Sequence, residues 1–156
     1  MQEGEGIMLK KIPTAISPEL MKVMMEMGHG GEIMISDGNC GANKFGTARP
    51  IVVRMDGMKV PEILEAMLQY MPLDDYVEQP VTLCRNDPWV EEPVIWQEYK
   101  RIIEESEEAD KFKAGFNILP KQEFYEKMKG LYCIVQTSEP AVYANIILKK
   151  GVVRDK

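Results

Sequence analysis

His29 is the only histidine in a chain of 156 residues, and it stands between Gly28 and the pair Gly30-Gly31. Imidazole ionises nearer neutrality than any other side chain, so it can both give and take a proton at pH 7. Glycine on either side lets another molecule, or another stretch of backbone, come close. The next apolar run, Glu32-Ile33-Met34-Ile35-Ser36, ends at Asp37. A polar residue at such a strand-to-loop junction sits where open α/β sheets hold their ligands. Two further polar clusters stand beside apolar runs: Arg54-Met55-Asp56-Gly57 closes one, and Tyr143-Ala144-Asn145 opens another. Arg54 and Asp56, two apart on an extended segment, share a face, either as a structural ion pair or as a substrate clamp. On composition alone, the commoner fate of a lone histidine is a loop residue bonded to a backbone carbonyl.

Several chemistries are excluded. There is no GxGxxG turn, no phosphate loop ending in Lys-Ser or Lys-Thr, and no GxSxG elbow. Nucleotide and serine-hydrolase chemistry therefore lack their backbone devices. One histidine and no CxxC pair argue against a transition-metal site. Cys40, Cys84 and Cys133 are odd in number and widely spaced, which suits free thiols in a reducing compartment better than a disulfide framework. A net charge of -6 argues against a nucleic-acid partner. No apolar run approaches the roughly 18 residues of a membrane helix, and no signal-peptide pattern opens the chain. The expectation is a soluble, cytoplasmic protein that engages neither nucleic acid nor membrane. What remains is one proton-transfer residue, several acids, a lysine, and neutral hydroxyl and amide groups. That set suits a small polyhydroxy ligand.

The length fits one domain, with residues 1–7 as a loose leader and 8–156 as the domain. Ser17 caps a helix to Met27, whose Leu20, Val23, Met24 and Met27 form one apolar stripe before Gly28 stops it. Strands are predicted over Glu32–Ser36, Ile51–Met55, Val81–Arg85, Phe116–Leu119, Leu131–Gln136 and Asn145–Lys150. A long polar loop, Asp37–Pro50, separates the first two, and loops of that length are often functional. Pro61 opens a helix with Ile63, Ala66, Met67 and Tyr70 on one side. Val94–Glu108 and Pro120–Lys129 are further helices, and the acidic end of the former reads as a solvated, frayed terminus. Alternating helices and short apolar strands give a layered α/β/α domain around a central sheet, mostly parallel or mixed.

Taken in order, Ile16-Ser17-Pro18-Glu19-Leu20, Glu26-Met27-Gly28-His29-Gly30, Ser36-Asp37, Arg54-x-Asp56-Gly57 and Tyr143-Ala144-Asn145-Ile146-Ile147-Leu148-Lys149-Lys150-Gly151 resemble the L-fucose mutarotase and D-ribose pyranase family. The resemblance runs from about Met8 to Gly151. The fucose branch is the nearer through Pro18-Glu19-Leu20, Met27-Gly28-His29-Gly30 and Lys149-Lys150-Gly151, whereas Tyr-Ala-Asn also looks like the ribose branch. It implies a mutarotase that needs no cofactor and assembles as a ring-shaped homo-oligomer, commonly a decamer. By position it implies His29 as proton donor, with Asp37, Tyr143, Ala144 and Asn145 holding a monosaccharide. Lys121 falls where fucose members often carry an arginine, and a lysine keeps the charge but loses the planar fork. Asn39 and Asn43 stand where the family uses histidines. A ribose-type pyranase and a non-catalytic sugar-binding oligomer are the alternatives. The spacing poses one geometric problem: five strand residues hold His29 and Asp37 roughly 16 Å apart. Either the Gly30-Gly31 turn folds His29 back over the sheet, or the site combines residues of two subunits.

Overall fold

The computed structural model describes residues 8–40 and 50–154; the expected leader over 1–7, and Asn43, lie outside them. Among the described residues the chain runs α1 (Pro18–Glu26), β1 (Glu32–Ser36), β2 (Ile51–Met55), α2 (Val60–Met67), β3 (Val81–Cys84), α3 (Ile95–Glu104), a 3₁₀ turn (Ala109–Lys111), β4 (Asn117–Leu119), α4 (Lys121–Met128), β5 (Cys133–Thr137) and β6 (Ile146–Lys149). The strands form one sheet in the order β2-β5-β1-β6-β3-β4. β1 and β2 run parallel to β5, β4 runs parallel to β3, and β6 lies antiparallel between β1 and β3. The sheet is therefore mixed, with one strand reversed near its middle.

Alternation along the strands sorts the core into two layers. Ile33, Ile35, Val135, Ile146 and Leu148 pack with α1, α2 and α3, whereas Met34, Ile134 and Ile147 pack with Phe124 and Met128 of α4. The central strands are covered on both faces, which is why they read as continuous apolar runs. Burial pushes the Cys133 thiol up to about 12, so it packs as a small apolar side chain.

The element ends depart from expectation for local reasons. α1 is capped as expected, with Ser17 Oγ accepting from the Leu20 N–H at 3.1 Å. Its carboxyl end has no basic residue of its own in the last turn. Instead Lys150 Nζ crosses from the far end of the chain and donates to the Met24 carbonyl at 2.6 Å and to that of Met27. α2 ends at Met67, which leaves Tyr70 in the turn after it, its hydroxyl donating to the Lys11 carbonyl. α3 stops at Glu104, short of the expected Glu108, and the acidic run is not wholly solvated. The Glu108 carboxylate turns inward, accepting from the Leu73 N–H at 2.7 Å and from Lys111 Nζ at 2.9 Å.

Residues 149–151 tie two turns together. Gly30 N–H donates to the Lys150 carbonyl at 2.8 Å and Lys150 N–H to the Gly31 carbonyl at 2.9 Å. Asp74 N–H donates to the Lys149 carbonyl and Gly151 N–H to the Pro72 carbonyl, both at 2.9 Å. Gly151 lies so close to the 72–74 turn that a Cβ there would press on the Leu73 carbonyl and come within 2.8 Å of Asp74 Cα. Gly151→Ala must push that turn away, at a cost of about 1–3 kcal/mol. A lowered urea midpoint is the expected result, and an unchanged midpoint would show that the close approach is not tight.

Candidate active site

The polar residues fall on two opposite edges of the sheet. The carboxyl ends of the parallel strands lead into Asp37 after β1, Asp87 after β3, Lys121 after β4 and Glu139 after β5. Because β6 is reversed, Tyr143-Ala144-Asn145 enters at that same edge. This is where open α/β sheets hold ligands.

Asp37 is buried, and its carboxylate is taken up by backbone. Oδ1 accepts from the N–H groups of Asn39 and Cys40, each at 3.0 Å, and Oδ2 accepts from the Ala144 N–H at 3.2 Å. Its own N–H donates to Asn145 Oδ1 at 2.8 Å. Charge-assisted bonds of this kind are the strong ones; they lock the β1 loop to the segment before β6. Gln136 Nε2 donates to the Asp37 carbonyl at 3.1 Å, and its buried Oε1 has no hydrogen-bond partner among the described residues.

Tyr143 adopts a left-handed backbone with φ 54°, a costly conformation for an aromatic residue that persists only where the surroundings enforce it. The enforcement is visible: Trp96 Nε1 donates to the Tyr143 carbonyl at 2.9 Å, and the Tyr99 hydroxyl donates to the Ala144 carbonyl at 2.6 Å. Burial, with the nearby Glu139 and Asp37 charges, raises the Tyr99 phenol far above its ordinary range, so it remains a donor. Thus held, the Tyr143 hydroxyl donates to Asp87 Oδ2 at 2.6 Å, while Lys121 Nζ donates to Oδ1 at 2.7 Å. Lys121 and then Tyr143 hold the Asp87 carboxyl below the usual carboxylate range. Asp87 in turn raises the Lys121 ammonium well above its ordinary value.

His29 stands at the other edge. Its Nε2 lies 3.0 Å from Asp74 Oδ1, with the imidazole 36% exposed and the carboxylate 2% exposed. Asp74 Oδ1 also accepts from the Tyr76 N–H at 3.1 Å, and the Tyr76 ring meets the imidazole edge-on with centroids 4.5 Å apart. A buried carboxylate against one ring nitrogen fixes the ring's orientation and leaves the other nitrogen to exchange a proton. Beyond it, Arg154 forks onto Asp75 at 2.9 and 3.1 Å.

Residues 10–153 match the RbsD / FucU transport protein family. The chain belongs to that family. The mouse protein named fucose mutarotase is 38% identical over 151 residues, which is 94% of this chain and 96% of that protein. The fucose mutarotase of Streptococcus pneumoniae, solved in complex with L-fucose, superposes with a TM-score of 0.84 at 42% identity, covering 94% of this chain and all (100%) of that one. FucU from Bifidobacterium longum superposes at 0.82 with 45% identity, covering 92% and 99%. The layered mixed-sheet fold expected from the sequence is thus the RbsD / FucU fold.

Within this RbsD / FucU chain, Asp37, Ala144 and Asn145 come together as expected, and Lys121 meets Tyr143 through Asp87. His29 joins neither group: Glu32 pairs with Lys149 and Ile35 with Ile146, so His29 and Asp37 lie beyond opposite ends of β1. The Gly30-Gly31 turn leads to Lys150 instead of back across the sheet. Arg54 and Asp56 form an exposed fork at 2.8 and 3.2 Å, a surface pair of small energetic weight. Sequence reasoning missed Asp74 and Asp87, which sit in the Pro72–Pro80 loop and before Pro88. Among the described residues no group of three or more His, Cys, Asp or Glu could hold a metal. Tyr99→Phe removes the donor to the buried Ala144 carbonyl, at a cost of about 1–3 kcal/mol. Chemical denaturation is expected to register that loss, and wild-type stability would mean that Tyr99 does not hold the segment.

Proposed function

We infer that this chain is an isomerase, a sugar mutarotase acting on L-fucose. The observation that carries the chemistry is the half-exposed His29 imidazole set against the buried Asp74 carboxylate. Binding alone requires no titrating group held in one orientation, whereas anomer exchange does. The ring oxygen takes one proton while the anomeric hydroxyl gives one up. The ring then opens to the aldehyde, the C1 carbon rotates, and the ring closes on the other face. Atoms and electrons are conserved, and one proton is exchanged for another. General acid-base help of about 10²–10⁴-fold is enough for a reaction that already proceeds in water.

We assign His29 as the proton donor and Asp74 as its orienting partner. Asp37, Lys121, Tyr143, Ala144 and Asn145 are the sugar-holding set, with hydroxyl, amide, ammonium and carboxylate groups that complement a polyhydroxy ligand. Because His29 and that set leave opposite edges of the sheet, the complete site is built between copies of the chain. Self-association into a ring, a decamer, brings one copy's His29 to its neighbour's carboxyl edge. Exposed apolar side chains support such contacts: Met25 is 77% exposed, Trp89 80%, and Ile51 on edge strand β2 43%. We take residues 8–156 as one domain and place the protein in the cytoplasm, where three cysteines fit a reducing environment. Among the described residues no helix is long and apolar enough to cross a membrane.

A pyranose–furanose exchange of D-ribose would pass through the same open aldehyde. The Tyr143-Ala144-Asn145 form of the late motif leaves that reading standing, and comparing exchange on the two sugars separates them. Saturation-transfer NMR on L-fucose is the direct test. His29→Ala is expected to lose the accelerated exchange, about 10²-fold or more, with its unfolding midpoint kept. Asp74→Asn is expected to slow exchange without abolishing it. Wild-type rates in folded His29→Ala would remove the assignment.

A further inference from the structure

Lys121 brings a full positive charge to the carboxyl edge, yet a monosaccharide is neutral. An ammonium on a four-carbon stem also has no fixed donor geometry of its own. Asp87 addresses both points. Its Oδ1 accepts from Lys121 Nζ at 2.7 Å and its Oδ2 from the Tyr143 hydroxyl at 2.6 Å. Its backbone N–H returns a bond to the Tyr143 hydroxyl oxygen at 3.3 Å. The carboxylate side chain is only 24% exposed, and Lys121 lies against the Tyr143 ring with Nζ 5.4 Å from the centroid. Tyr143 cannot drift to meet other partners. Trp96 holds its carbonyl, and bonds to Asp37 hold Ala144 and Asn145 beside it.

We propose that Asp87 is a specificity-determining residue: it neutralises Lys121 and orients Lys121 and Tyr143, so that this corner of the site takes the hydroxyls of an uncharged sugar and rejects sugar phosphates and sugar acids. The proposal rests on the reading of Lys121 and Tyr143 as ligand contacts. An ammonium carries three donors; one is spent on Asp87 and a second faces the Tyr143 hydroxyl, which leaves a third for ligand. The Tyr143 proton is likewise spent on Asp87, so its phenol can offer a ligand only an acceptor. A sugar hydroxyl donates and accepts, and therefore matches a donor beside an acceptor. An ionised phosphate or carboxylate oxygen can only accept, and its negative charge meets the Asp87 charge and the Tyr143 oxygen as repulsive elements, which is how specificity against a wrong ligand is built.

Asp87→Asn keeps the side-chain shape and removes the charge, and inorganic phosphate is the probe. Calorimetry is expected to show phosphate binding to Asp87→Asn and none to the wild-type protein under the same conditions. In the variant, phosphate at about ten times its Kd is expected to raise the apparent KM for L-fucose about tenfold, as a competitor for one site does, with the variant's own kcat unaffected by phosphate. Adding Lys121→Met to Asp87→Asn is expected to abolish the phosphate binding. Asp87→Ser must give the same gain and serves if the Asn variant does not fold. If neither folds, Asp87 is a structural tie and the proposal is overturned. It is equally overturned if folded Asp87→Asn binds no phosphate, or if the wild-type protein binds it as well. The calorimetric result does not depend on catalysis. A wild-type protein with no anomer exchange therefore removes the mutarotase reading and leaves the Asp87 result to be judged separately.

Discussion

The reversed strand β6 is the constraint on which the molecule depends. Ile146, Ile147 and Leu148 are wholly buried between β1 and β3, and each such side chain contributes about 1.5–3 kcal/mol by leaving water. Because β6 runs against its neighbours, its two ends reach opposite edges of the sheet. At one end, the Ala144 N–H donates to the Asp37 carboxylate and Asn145 Oδ1 accepts from the Asp37 N–H. At the other, Lys149, Lys150 and Gly151 hold the His29 turn and the Asp74 turn in one network of backbone bonds. Lys150 also closes the carboxyl end of α1. One buried strand therefore ties down the His29 and Asp74 turns at one end and Asp37 with residues 143–145 at the other.

The same arrangement keeps the two groups apart. The register that places Asn145 beside Asp37 places Lys150 beside Gly30, and the length of β1 separates them. A shift of register would turn the apolar residues of β6 onto the wrong faces, so the two edges cannot approach within one copy. The three carboxylates are each committed in a different way. Asp37 accepts from backbone N–H groups, Asp74 meets the imidazole and the Tyr76 N–H, and Asp87 accepts from an ammonium and a phenol. On the roles proposed above, the first ties together the loop of the sugar-holding set, the second orients the proton donor, and the third sets the polarity of the binding corner.

Much of this was legible in the sequence, and the rest was not for identifiable reasons. The α1 stripe and its Ser17 cap are local signals and appear as read. The strands follow from short apolar runs between turn residues, although β5 begins at Cys133 and not at Leu131, which packs with α4. His29, Asp37 and Tyr143–Asn145 stand out because polar residues flank apolar runs. Asp74 and Asp87 do not, because they lie in proline-bounded loops with no periodicity, and their partners lie 45, 34 and 56 residues away. The inward turn of Glu108 was hidden likewise, since an acidic run looks solvated until Leu73 and Lys111 are seen beside it. Periodicity carries no strand direction, so the reversal of β6, which ties residues 144–145 to one end of β1 and residues 149–150 to the other, could not be read from the pattern, whereas the length of β1 already set His29 apart from Asp37.

The central claim is that a working site needs the His29 edge of one copy and the carboxyl edge of another. Subunit complementation tests it most directly. His29→Ala would be coexpressed with a chain carrying Lys121→Met and Tyr143→Phe, each inactive alone, and anomer exchange measured on the mixed oligomer. Random assembly of a ring with sites between neighbours should restore activity to about a quarter of the wild-type sites. Mixed, folded oligomers with no recovered exchange would contradict the account.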